Sequence, residues 1–151
     1  MMIVGAFIYG PLDSLLGTRK WVVVGGSVIA AAGFLALALG PTMPLIGTIA
    51  VMSLILAGGS TYAVLMAHGR AFMPEALLGR GITLLNFVFM AGAAIVQAIS
   101  GAAVDRMKAG GVPVADVYAT LHLGFAIAVM AALVIYLAAR DAPPVAKPVT
   151  A

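Results

Sequence analysis

Polar side chains set inside long apolar runs carry whatever chemistry this 151-residue chain can do. Ser60, Thr61, Asn86 and Gln97 all stand in stretches without Asp, Glu, Lys or Arg. An amide or hydroxyl there avoids lipid and seeks a helix interior or a wet cavity. On a helix Gln97 falls ~20° and Ser100 ~40° from the direction of Asn86, so the three share one stripe. Ser53, Ser60, Thr61 and His68 make a second polar set. Such groups can offer hydrogen bonds to a neutral or anionic solute. They can equally bond neighbouring helices, worth ~0.6 kcal/mol each on average, and both roles stand at each position.

Other chemistry finds little to use. His68 and His122 have no second ligand at metal spacing, and both read as residues of the membrane edge, His122 facing the headgroups. The absence of cysteine excludes disulfides and thiolate metal sites. No nucleophile–base pair, phosphate-binding loop or acidic cluster occurs, so neither an enzyme nor a cofactor or metal site is expected. The net charge of +3 sits in short loops, which argues for membrane topology and against nucleic-acid binding.

The elements that hold these residues follow from where the charges are missing. Residues 21–69, 81–104 and 117–139 are uncharged, and 64% of the chain is hydrophobic against 9% charged. About 20 apolar residues cross the ~30 Å hydrocarbon core as a helix. The first run is roughly twice that length and must fold back, and Gly40-Pro41-Thr42-Met43-Pro44 is where it can. The expected fold is therefore all-α, a polytopic transmembrane bundle with helices near 21–40, 45–68, 82–104 and 118–139, preceded by a short stub at 1–12. The transmembrane domain covers 1–140, and the proline-bearing tail 141–151 reads as disordered. A half-helix stub leaves backbone groups unsatisfied in lipid, which suggests the C-terminal part of something longer.

Lys and Arg set the orientation. Arg19, Lys20, Arg70, Arg80, Arg140 and Lys147 fall in one set of loops, Arg106 and Lys108 in the other. That asymmetry places the first set, and the C-terminus, in the cytoplasm, with the Pro41–Pro44 turn and the loop 105–117 outside. The polar sets predict that 45–68 and 82–104 face inward while 21–40 and 118–139 face lipid. Gly58-Gly59 beside Ser60-Thr61 is the place to expect an unwound segment, tolerated where it lines a cavity.

Two loops carry a resemblance. Gly10-Pro11-Leu12-Asp13-Ser14-Leu15-Leu16-Gly17-Thr18-Arg19-Lys20 suits a tight turn between helices, and Arg70 to Gly81 contains Pro74-Glu75 followed by Gly79-Arg80-Gly81. Glu75 can pair with Arg70 or Arg80 there. In order and spacing these segments resemble the loops after the second and fourth helices of a half of the major facilitator superfamily. The match falls on Gly10, Asp13, Gly17, Arg19 and Lys20 in the first loop, with Ser14 departing from the commonest pattern.

The resemblance implies the C-terminal end of such a transporter, in which two six-helix halves rock around a central solute site. It implies that 45–68 and 82–104 line the cavity, with Ser60, Thr61, Asn86 and Gln97 facing the solute. Gly10, Asp13, Gly17, Arg19, Lys20, Glu75 and Arg80 would form the cytoplasmic gate. Its partners would be the lipid bilayer, an unknown small solute and the N-terminal transporter half, in a bacterial inner membrane. A small accessory or homo-oligomeric membrane protein without transport is the alternative, and a channel-like oligomer finds too few polar residues to ring a pore.

Overall fold

The computed structural model describes Leu12 and residues 15–143. The expected stub, apart from Leu12, and the gate residues Gly10 and Asp13 lie outside the described residues, as do residues 144–151. The described chain is helical throughout: α1 (Lys20–Leu39), α2 (Leu45–Gly59), α3 (Tyr62–Arg70), α4 (Leu78–Ala109) and α5 (Val114–Leu137), with a 3-10 turn over Glu75–Leu77 leading into α4. Because α2 and α3 form one 26-residue crossing, four segments among the described residues are long and apolar enough to span a membrane.

The punctuation is local chemistry. Between α1 and α2 the chain reverses at Gly40–Pro44, where the Met43 N–H donates to the Gly40 carbonyl at 3.1 Å. Pro44 then supplies an extended residue with φ −62° and ψ 152° before α2, the geometry a helix start needs. Between α2 and α3 the helix is interrupted at Ser60 and Thr61, as the sequence suggested. The Ser60 N–H donates to Ala57 three residues back, and both residues hold ψ near 0°.

The third span runs further than the sequence suggested. Its expected end at 104 moves to Ala109, and the loop 105–117 shrinks to Gly110–Pro113. Asp105, Arg106 and Lys108 do not end the helix, because the two cations complement its C-terminal dipole. The stop comes from Gly111 at φ +77°, whose N–H donates to Lys108 while that of Val112 donates to Met107. This is a Schellman closure. At ~1.5 Å per residue, α4 is roughly 48 Å long, so its charged ends stand clear of the hydrocarbon core.

The inner and outer helices also differ from expectation. Helix α1, expected to face lipid, packs between α2 and α5 and buries Val22, Val23, Gly26, Ala30, Ala31, Gly33 and Leu37. Helix α4, expected to face inward, buries none of its 32 residues. Between apolar helices in lipid, closeness is set by small residues that let backbones approach. Gly26 and Gly33 meet α2 directly, and a Cβ at Gly33 would lie 2.5 Å from Ile55 Cγ1. Gly92 and Gly101 of α4 face open space. On the far side of α1, Phe34 packs against the rings of His122 and Phe125 of α5. His122 is therefore a half-buried packing residue.

Candidate functional site: a broken helix and a polar helix face

Asn86 is tied to the helix break. Its Oδ1 accepts the Tyr62 hydroxyl at 2.7 Å, and the Tyr62 ring tilts over Phe89 with centroids 4.5 Å apart. Tyr62 is the first residue of α3, so the bond joins the resumption of the broken helix to the polar face of α4. Tyr62 belongs to neither polar set that the sequence singles out. The signal was available, since a Tyr hydroxyl at mid-span requires a polar partner.

The other expected site residues are placed separately. Thr61 is buried against α1, with its methyl against Gly26 and its hydroxyl donating to the Gly58 carbonyl at 3.2 Å. The half-buried Ser60 donates to Leu56 at 2.8 Å. Both hydroxyls thus bond carbonyls of the turn preceding the break. Gln97 is exposed, and its backbone carbonyl accepts the Ser100 hydroxyl at 3.0 Å. Ser100 in turn lines a cleft of about 340 Å³ between α4 and α5, with Val96, Ala103, Thr120 and Phe125. The stripe on α4 therefore divides: Asn86 meets α3, Ser100 meets α5, and Gln97 points away from both.

Of the expected gate residues, Gly17 adopts φ +64° in the turn before α1, a conformation glycine takes without strain. Lys20 reaches across to α5, where its Nζ donates to the Leu137 carbonyl at 2.7 Å. Arg19 donates to the Ala142 carbonyl at 3.4 Å. The Asp141 carboxylate accepts the Thr18 hydroxyl and, at 3.1 Å, the Lys20 backbone N–H. Antiparallel helices α1 and α5 thus cap each other: an anion sits at the N-terminus of one and a cation at the C-terminus of the other. Asp141, first residue of the expected tail, belongs to this ordered contact.

Desolvation opposes the charged form of Asp141, exposed though it is. The hydrogen bonds from Thr18, Lys20 and Ala142 outweigh it and hold the carboxyl below its ordinary value. Glu75 and Arg80 are exposed on the opposite loop of the same face. The 3-10 turn beginning at Glu75 brings Met73 against Gly81, where a side chain would collide with the Met73 sulfur. Gly79, by contrast, faces open space.

His68 lies deeper than its place at a helix end suggests. It is 3% exposed, with Nε2 3.0 Å from the Arg140 carbonyl and Nδ1 2.6 Å from the Tyr136 hydroxyl. The rings of Phe72 and Tyr136 approach it edge-on. Among the described residues, no cluster of His, Asp or Glu could hold a metal ion.

Comparison with known proteins returns no matching family model, no similar curated protein and no similar solved structure.

Proposed function

We propose that this chain acts in the membrane as part of a longer solute transporter of the major facilitator type, moving a small solute by alternating access. One observation carries the reading. A 32-residue helix with no buried residue holds Asn86 against the crossing that breaks at Ser60–Thr61, through Tyr62, and leaves Gln97 exposed further along. Polar groups at membrane depth avoid lipid, and broken helices are tolerated where they line a cavity. The α4 face with Tyr62 and Ser60 is then one wall of the solute path, and a further helical part of the transporter supplies the other wall. Thr18–Lys20, Glu75–Arg80 and Arg140 form its cytoplasmic rim, in keeping with the excess of Lys and Arg on that side.

The absence of cysteine makes the test direct. Asn86→Cys and Gln97→Cys are introduced singly into the tagged chromosomal gene, and a membrane-impermeant maleimide is applied to sealed vesicles. The reading expects a product well above 15.2 kDa and labelling of both positions through an aqueous path. A product at 15.2 kDa whose Gln97→Cys copies cross-link to one another would overturn it in favour of a homo-oligomeric membrane protein.

A further inference from the structure

Tyr136, Arg140 and Asp141 stand at and just beyond the end of α5, and together they hold two other elements. Asp141 and the Leu137 carbonyl grip the start of α1 through Thr18 and Lys20. Tyr136 and the Arg140 carbonyl grip the end of α3 through the two nitrogens of one imidazole. A backbone carbonyl can only accept, so His68 Nε2 carries a proton, and in the neutral ring Nδ1 accepts from the Tyr136 hydroxyl. The ring is thereby satisfied on both sides while buried.

The held element is itself separable. Helix α3 is nine residues long, parted from α2 by the interruption at Ser60–Thr61. Apart from that hinge it is fixed by Tyr62 to Asn86, by Val64 packed with Val22 and Val23, by Gly69 against Leu85 of α4, and by His68. A short rigid piece with a hinge at one end and a two-point catch at the other has the layout of a gate element. We infer that Tyr136–Asp141 is a latch with His68 as its catch, and that α3 swings about Ser60–Thr61 when the catch is released. The latch is a conformational device of the fold, whether or not the chain carries a solute.

The test needs no cargo. In the full chain in its native membrane, Val64→Cys places a thiol under α1 at a site now 3% exposed. Ile55→Cys, between α1 and α2, serves as the control position. Releasing the catch with Tyr136→Phe, which keeps the ring, should raise maleimide labelling at position 64 about threefold to tenfold, the population change expected for one lost hydrogen bond. His68→Leu removes both bonds and should raise it further. Position 55 should stay protected. Labelling at 64 that does not change in either variant overturns the latch. An equal rise at 55 does so too, since the contacts would then hold the whole bundle and not α3.

Discussion

Gly26 and Gly58 meet backbone to backbone: a Cβ on Gly26 would lie 2.7 Å from the Gly58 carbonyl oxygen, and one on Gly58 would lie 2.5 Å from that of Gly26. The same Cβ on Gly26 would collide with the Thr61 methyl. The contact brings α1 against α2 immediately before the helix break. Gly25, one residue away, faces open space. Gly26→Ala and Gly58→Ala should each destabilise the chain by about 1–3 kcal/mol through overpacking. Gly25→Ala should be neutral or stabilising by up to about 1 kcal/mol. Unfolding of the detergent-solubilised protein in an SDS series, followed by far-UV circular dichroism, separates the three.

The Tyr62–Asn86 bond invites a milder perturbation. Tyr62→Phe leaves the ring on Phe89 and removes only the hydroxyl, so the loss of stability should be near the ~0.6 kcal/mol typical of an interhelical hydrogen bond. Asn86→Leu removes the acceptor, and the double variant should cost no more than the larger single one. A double-mutant cycle in the same SDS series checks this, with additive effects contradicting a direct bond.

What the sequence made legible was governed by the solvent. Long uncharged runs fixed four spans, Pro41 and Pro44 fixed the first reversal, and Gly58-Gly59 beside Ser60-Thr61 marked the break. Where the third span ends was misread, because Asp105, Arg106 and Lys108 look like a loop while the actual stop is one left-handed glycine, Gly111. The centrality of α1 was also hidden. Polarity tells which side chains avoid lipid, whereas close packing depends on which small residues find each other, and Gly26 does so while Gly92 does not. His68 with Tyr136 was out of reach for a different reason: the partners are 68 residues apart. Only the parity of four crossings puts both on one face.

Asp141 makes the contact between α1 and α5 sensitive to acid. Its carboxyl is held below its ordinary value of 3.8, so its contribution is fully present above that value and is lost as pH falls through the lowered one. The group is exposed, so the effect on global stability is small. The local effect is readable because the single tryptophan, Trp21, stands beside Lys20, with its backbone N–H bonded to Thr18. Trp21 emission should be flat from pH 7 to about 5 and should shift only below the ordinary carboxylate value. In Asp141→Asn the shift should be absent, and a transition that persists there assigns it to another group.

Gly111 offers the last test, at the opposite face. Its φ of +77° closes α4, and no neighbouring atom lies within 4 Å of the position a Cβ would take. Space is therefore not the constraint, and the cost of a side chain is purely conformational. Gly111→Ala should destabilise by about 1–2 kcal/mol, the penalty of a left-handed L-residue. Gly111→Asn should cost clearly less, since Asn tolerates that region. Gly110→Ala is the matched control, because Gly110 has φ −78° and its nearest contacts stand at 3.5 Å. The ranking Gly110→Ala, Gly111→Asn, Gly111→Ala, from mildest to most severe, should appear in thermal melts of the solubilised protein. Equal melting points for the two alanine variants would show that the α4 terminus does not rely on the left-handed turn.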